Sequence, residues 1–414
     1  MPAATPGTPS LLRALNDRAA LELLLTHGPL SRTRIGHLTG LSKPTASQLL
    51  ARLEAAGLVV ATGTDAGRPG PNAQLYAVNA RAAHVAGLDV TPGRILASVA
   101  DLTGEVIGSH ELPYAEGTGP VTQVTRALDE AVKDSGLYLA DIHRVVIATP
   151  GSFDPRTGVL RYADHLAGWQ SPTLLDELAA ALPMPVEYEN DVNLAAVAEQ
   201  RLGAARGHED FVLLWNEEGL GAALVLGGRL HRGWTGGAGE VGFMPVPGHP
   251  LVRQVTRVNS GGYQELAGVQ VLPAMAARLG IEAPPAAASG SVHGAVYGAE
   301  AGAMVETAAA LLAQAAAAPE GGNLLLLREY ATALATGLAS LVAVLDPEVV
   351  VLSGALTIAG GEPLRELIEA ELADLAPSRP LLVSGEVRER PVLRGALESA
   401  LAATRDEVFD TSRR

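Results

Sequence analysis

The stretch ENDVNLAAVAE, Glu189 to Glu199, decides how this chain is read. An Asn-Asp pair closes the apolar run MPVEY and opens an Ala-rich helical segment, so two acceptor side chains stand where a strand hands over to a helix. In that position Asp191 has three possible uses. It can be a general base toward a hydroxyl, the relic of one that now only holds a ligand, or a plain helix cap.

Upstream of this junction, from Ala82, strands alternate with helices, the pattern of an α/β domain. HVAGLDVTPGRILASVADLTGEVIGSHEL reads as three strands joined by a Gly-bearing turn and a DLTG turn. A helix follows near VTQVTRALDEAVKDSG, and the buried strand IHRVVIATPGSFD ends in a Pro-Gly turn. This order opens each half of the two-lobed actin-like ATPase and sugar kinase fold. Downstream, NLLLLREYATALATGLASLVAVLDP predicts a buried helix stopped at Asp346-Pro347, and EVVVLSGAL a buried strand running into a Gly turn. RPVLRGALESALAATRDEVF predicts a helix that returns to the first lobe, whereas GIEAPPAAASGSVHGAVYGAEAG and AQAAAAPEGG read as loops or helix ends.

With 414 residues, two or three domains are expected. Cysteine is absent, which excludes disulfides, thiolate zinc sites and a cysteine nucleophile and fits a reducing cytoplasm. The sequence predicts no membrane span and no targeting segment. Charge is uneven. Residues 1–80 hold seven basic and four acidic side chains, a net of +3, so the rest of a chain of net charge -15 carries -18. A basic head on an acidic body separates a part that meets phosphate from a part that does not.

Residues 1–9 are Pro-, Thr- and Gly-rich and read as disordered. Asn16 is then expected to cap a first helix with Ala20, Leu23 and Leu24 on its apolar face and Gly28 as its stop. Ser31 caps a second helix that ends at Gly40, and Ser42 caps a third with Pro44 in its first turn. Helix, short turn, helix is the DNA-reading arrangement, in which the second helix of the pair enters the major groove. Arg32, Ser42, Lys43, Thr45, Ser47, Gln48 and Arg52 are the candidate DNA contacts, while Leu49, Leu50 and Leu53 face inward. LVVAT and AQLYAVN form a hairpin whose Gly/Pro-rich tip carries Arg68, as a wing would.

From about Asn16 to its end, the chain resembles the winged-helix repressor branch of the ROK family (repressors, open reading frames and kinases), of the xylose and N-acetylglucosamine repressor type. The motifs are RAALELLLTHGPLSRTRIGHLTGLSKPTASQLLARLEAAGLV, ATPGSFDPRTGVLRYADHLAGW, ENDVNLAAVAEQRLGAARG, GLGAALVLGGRLHRGWTGGAGEVGF and LDPEVVVLSGAL. The resemblance implies that Asp191 sits where the family's kinases keep a base, with Asn190 and Glu240 as sugar contacts. It also marks departures. The phosphate turn reads DVTPGR, with Thr91 and Pro92 in place of glycines, and WNEEGLGAAL sets Glu217 and Glu218 beside the second phosphate position, where they would repel ATP. Phe243 replaces the family's sugar- and zinc-binding His, Gln264 a sugar-binding Glu, and His165 an Asn. A zinc site of the family type is excluded because its thiolates are missing, and the lone His249 reads as a surface or capping residue.

The resulting expectation is an α/β protein with a winged helix-turn-helix at 10–80, a first ROK lobe at 81–190 rejoined by 390–414, and a second lobe at 191–389. It is a repressor of carbohydrate uptake or catabolism genes, without cofactor or catalysis, acting on double-stranded operator DNA as a homodimer or tetramer. A sugar or sugar derivative would be held by His165, Asn190, Asp191, Glu240 and Gln264. The changed contacts predict a sugar unlike glucose, a phosphorylated or otherwise modified one, or none. Two alternatives stand beside it: an active sugar kinase with Asp191 as base, and a regulator controlled by a protein partner through a vestigial cleft.

Overall fold

The computed structural model describes residues 9–65, 73–115, 117–154, 156–161, 166, 168–253, 261–284 and 299–411. Arg68 and His165 therefore lie outside the described residues, as do residues 1–8 of the expected disordered leader.

The head consists of α1 (Pro9–His27), the short strand β1 (Leu30–Ser31), α2 (Arg32–Thr39), α3 (Lys43–Ala55), β2 (Val59–Asp65) and β3 (Ala73–Val78). The helix-turn-helix forms as its caps dictate. The Ser31 and Ser42 hydroxyls accept from the N–H groups of Arg34 and Thr45, and left-handed Gly40 closes α2. One expectation fails: Asn16 caps nothing, because α1 starts seven residues earlier at Pro9, a residue suited to a first helical turn. Leu11, Leu12 and Leu15 on this extension are exposed.

The first lobe carries β4 (His84–Val90), β5 (Arg94–Asp101), β6 (Val106–Pro113), α4 (Pro120–Asp134), β7 (Ile142–Thr149), β8 (Ser152–Phe153), β9 (Leu160–Arg161), α5 (Leu174–Ala181) and β10 (Val186–Asn190). β4, β5 and β6 are an antiparallel meander, β7 lies parallel to β4, and β10 parallel to β7, giving the order β10-β7-β4-β5-β6. α6 (Asp191–Leu202) starts directly at the end of β10.

The second lobe repeats this plan with β11 (Phe211–Asn216), β12 (Leu220–Leu226) and β13 (Arg229–Leu230) as its meander. Then come α7 (Gly262–Ala267), α8 (Val271–Arg278), α9 (Ala299–Ala317), α10 (Gly321–Leu345), β14 (Val349–Ser353), α11 (Ala355–Leu375), β15 (Leu381–Ser384) and α12 (Pro391–Val408). β14 and β15 add parallel strands to β11, so the order β13-β12-β11-β14-β15 matches the first sheet. The 19-residue α9 starts within the first of the two stretches read as loops or helix ends and stops within the second; Ala has the highest helix propensity, and Val305, Ala308 and Leu312 are buried against α10 and α11. By length and composition α10 is apolar enough to cross a membrane, but Leu326, Leu327, Tyr330, Leu334 and Leu338 are buried in this lobe's core.

α6 and α12 lie between the two sheets. Val192, Ala195 and Ala196 of α6 pack on β11, β12 and β14, while Leu194 packs with Val85 and Val146 of the first sheet and Ala396 of α12. The two helices cross at Gly395, where an added Cβ would sit 1.8 Å from the Leu194 carbonyl oxygen. Beyond that crossing α12 runs to the head, where Val408 and Phe409 are buried with Leu21, Leu53 and Leu58. One helix thus joins the lobes and ends in the head's core.

Candidate ligand cleft and DNA-binding head

At the β10–α6 junction the cap is Asn190, not Asp191. The Asn190 Oδ1 accepts from the Asn193 N–H at 3.1 Å, and its Nδ2 donates to the Gly151 carbonyl at 2.9 Å and to the Asp191 Oδ1 at 3.0 Å. Glu189 fixes this arrangement from behind, its Oε1 accepting from the Asn190 N–H at 3.0 Å and from the Asn193 Nδ2 at 2.8 Å. Asp191 is the first helical residue, with its Oδ1 taking the Val192 N–H at 2.8 Å. Its carboxyl is therefore spared the capping task.

Several acids meet at this point. Burial pushes the Asp191 carboxyl up to about 8, the Val192 N–H opposes, and the charges of Asp89, Glu240 and Glu217 add to the rise. Asp89, near the end of β4, is pushed up to about 6 by burial, with Arg94 and Arg390 holding it down and Glu217 raising it. Burial, with Glu217 adding, lifts Glu218 to about 7. Glu240 is also raised by burial, while Ser152 of β8, which donates to its Oε1 at 3.3 Å, opposes. Carboxyls held near neutrality can both donate to and accept from hydroxyls, which suits a polyol.

The two expected phosphate loops are closed on themselves. In DVTPGR the Thr91 N–H and hydroxyl both donate to the Arg94 carbonyl at 2.9 Å, and the Thr91 hydroxyl accepts from the Arg94 N–H at 3.3 Å. In the second loop the Glu217 N–H donates to the Gly219 carbonyl at 3.2 Å. N–H groups that a phosphate would need are thus spent on the turns.

Gln264, on α7, uses its Oε1 to accept from the Leu220 N–H at 2.8 Å and stands 3.4 Å from the Gln270 Oε1 through its Nε2. It thereby ties α7 to the start of β12. Phe243 lies in a short 3-10 turn that starts just after Glu240. Among the described residues no group of three His, Cys, Asp or Glu side chains is placed to share a metal ion. Sequence reasoning missed Glu189, Ser152 and Arg232. The Arg232 Nε donates to the Glu189 Oε2 at 2.5 Å, joining the second lobe's 231–239 loop to the edge of the first sheet. Glu189 headed the decisive stretch and could have been found there. Arg232 had no local signal.

In the head Lys43, Thr45 and Gln48 are exposed on α3, with Ala46, Leu49, Leu50 and Leu53 buried. Ser42 spends its hydroxyl on capping, bonded to the Thr45 hydroxyl at 2.8 Å as well as to its N–H, and Arg32 donates to Ser47 at 3.1 Å. Arg52 departs from the expected role. Its Nη2 is held at 2.6 Å by Asp17 of α1, an acid only 3% exposed, so it serves the packing of the head. The Asp17 Oδ2 also takes the Thr411 hydroxyl at 3.0 Å, and Arg18 pairs with Asp406 of α12. Head and body are joined by a buried polar contact as well as by Val408 and Phe409.

Comparison with known proteins places both parts. The ROK family model matches residues 85–403, and a MarR family model matches residues 15–68. A putative xylose repressor of a Caldicellulosiruptor species is 27% identical over 243 residues, 58% of this chain and 61% of that protein. The DNA-binding transcriptional dual regulator NagC of Escherichia coli is 24% identical over 244 residues, 58% of this chain and 59% of its own length. The chain thus spans about three fifths of the length of the curated relatives it matches. Among solved structures, a ROK family transcriptional regulator, described as a homologue of the E. coli MLC protein, superposes with a TM-score of 0.69 over 97% of this chain and 98% of its own, at 19% identity, a likeness of fold. The ROK hexokinase of Thermus thermophilus gives 0.61 at 26% identity over 78% of this chain and 99% of its own.

Proposed function

The chain belongs to the ROK family, and from that premise we propose that it is a DNA-binding transcriptional repressor of sugar-uptake and catabolic genes, gated by a sugar-like effector in the interlobe cleft and without kinase activity. The observation that carries this reading is α12. It begins beside the cleft at Arg390, whose charge acts on Asp89, and ends with Val408 and Phe409 in the core of a helix-turn-helix head. Arg390 is held at φ 49°, a left-handed conformation costly for a side-chain-bearing residue, and such strain collects at switch points.

Loss of phosphoryl transfer is supported by the self-closed turns at Thr91 and Glu217 and by the acids crowding the phosphate position. The effector contacts are His165, Asn190, Asp191, Glu240 and Gln264. The DNA contacts are Arg32, Ser42, Lys43, Thr45, Ser47 and Gln48, joined by Arg68 from the wing tip. We assign residues 10–80 to the head, 81–190 with 390–414 to the first lobe and 191–389 to the second. The protein works in the cytoplasm as a homodimer or tetramer on a two-fold operator. Ligand and operator must weaken each other by the same factor.

The test is a gel shift with DNA from the protein's own upstream region, over a salt series, with and without a panel of sugars and sugar phosphates. Specific binding released by one compound is expected. Specific binding that no compound releases removes the effector from the reading, and ATP-dependent sugar phosphorylation abolished in Asp191→Ala removes the claim of lost catalysis.

A further inference from the structure

Resting on the reading of the cleft as an effector site, we propose that the effector is an uncharged oligosaccharide, with one sugar unit at Asn190, Asp191 and Glu240 and a second in a separate cavity beside β10. That cavity measures about 410 Å³ and is lined by Ser152, Phe153, Tyr188, Glu189, Asn190 and Arg232, among others. Its size falls within the range of small-molecule sites, roughly 300–1,000 Å³. It shares Asn190 with the cap at the cleft and Ser152 with the hydrogen bond to Glu240, so the two spaces adjoin.

The lining has the chemistry of a sugar subsite. Phe153 and Tyr188 present an aromatic wall, their ring centroids 5.0 Å apart and tilted by 51°. Such a wall covers the apolar C–H face of a pyranose, while carboxylate, amide, hydroxyl and guanidinium groups around it take the hydroxyls. The Tyr188 hydroxyl itself is buried away from the cavity, so the ring and not the hydroxyl is what Tyr188 offers here. Across the opening lies the 231–239 loop, fixed by Arg232 to Glu189. It lies so close at Gly236 that an added Cβ would sit 2.5 Å from the Phe153 carbonyl oxygen. Trp234, between those two residues, is 77% exposed and faces Arg156 of the other lobe at 5.3 Å. An exposed indole at the lip of a polyol cleft is a second stacking surface for a longer chain.

Charge favours an uncharged ligand over a phosphorylated one. The guanidiniums around this cavity are already matched, Arg232 by Glu189, Arg144 by Glu187 and Arg156 by Asp154. Behind them stand Asp89, Asp191, Glu217 and Glu240. A dianionic phosphate entering here meets guanidiniums already paired with acids, whereas a neutral glycoside meets only hydrogen-bonding groups.

The experiment is calorimetric titration of the full chain with three pairs, xylose and xylobiose, N-acetylglucosamine and its β-1,4 disaccharide, glucose and cellobiose, together with the 6-phosphates of glucose and N-acetylglucosamine. One disaccharide is expected to bind at least tenfold more tightly than its monosaccharide and than either phosphate. Trp234→Ala and Arg232→Ala should lower disaccharide affinity at least fivefold more than monosaccharide affinity. Tyr188→Ala should erase the preference; if that variant does not fold, the two exposed positions carry the test. Equal affinity for both members of every pair, or tightest binding of a 6-phosphate, overturns the second subsite and leaves the effector reading intact. No binding of any sugar overturns the effector reading and this inference with it.

Discussion

Two acids of this chain are withdrawn from bulk water and treated in opposite ways. Asp17, where head meets body, has a cation on one oxygen, Arg52 at 2.6 Å, and a hydroxyl on the other, Thr411 at 3.0 Å. Asp191, in the cleft, receives a backbone N–H and an amide on Oδ1 only, and faces Asp89, Glu217 and Glu240. The first is a satisfied joint that holds two domains together. The second is kept under electrostatic tension, which a structural role does not require and a binding site does.

The largest effect that sharpens this contrast is a pH effect. The Asp191 carboxyl titrates at about 8 in the fold against an ordinary 3.8. Between those two values the folded chain holds the proton and the unfolded chain has lost it, so stability falls as pH rises through the window and levels off above about 8. Asp191→Asn removes the titration. The variant should be more stable than the native chain at pH 8, by on the order of 3 kcal/mol, with the two converging near pH 4. Urea unfolding at both pH values measures it. A shallower slope owed to Asp89, pushed up to about 6, should persist in the variant. An Asn variant that keeps the whole slope would show that Asp191 is not the strained group.

At the joint the sign reverses. Asp17→Ala leaves Arg52 and Thr411 without their acceptor and should destabilise the chain by about 2 kcal/mol. It should also loosen the head on α12, seen as faster proteolytic release of an N-terminal fragment. Thr411→Val removes a single hydrogen bond to the Asp17 carboxyl oxygen and should cost about 1.5 kcal/mol. A gain in stability on removing Asp17, like the one expected on neutralising Asp191, would erase the distinction between joint and site.

How far these features were legible follows from how local they are. Ser31, Gly40, Ser42 and Pro44 encode the helix-turn-helix by rules spanning a few residues, and α2 and α3 form as read. The duplicated meander was legible because each strand is a short apolar run bounded by turns. The start of α1 was not, because exposed Leu11, Leu12 and Leu15 give no inward face to read. Only the two ends of α9 were legible, because about half of its residues are Ala, which carries propensity but little periodicity. In the cleft, ENDVN announced Asn190 and Asp191, but which of the two caps the helix is decided by where the backbone turns helical, and Asn190 takes the Asn193 N–H. Arg232–Glu189, Ser152–Glu240 and Asp17–Thr411 join residues 43, 88 and 394 positions apart, beyond any local pattern.

The smallest effects lie on the exposed face of α3, and they separate two kinds of DNA contact from the joint beneath them. Lys43 is exposed at the helix start and suited to a phosphate, so Lys43→Ala should weaken binding to every DNA sequence alike and lower the salt slope by about 0.9. Gln48 is exposed one turn further along, with an amide able to pair with an adenine edge, so Gln48→Ala should lower specific affinity by about 1–3 kcal/mol and relax preference at one base pair. Neither substitution touches Asp17, Arg52 or the buried leucines, so neither should move the urea midpoint. Fluorescence anisotropy with operator and scrambled DNA between 50 and 200 mM salt distinguishes them. If Lys43→Ala alters sequence preference while Gln48→Ala alters only the salt slope, α3 lies in the groove in a different register. If both lower stability as Asp17→Ala does, the exposed face of α3 belongs to the joint and the head reads DNA by another surface.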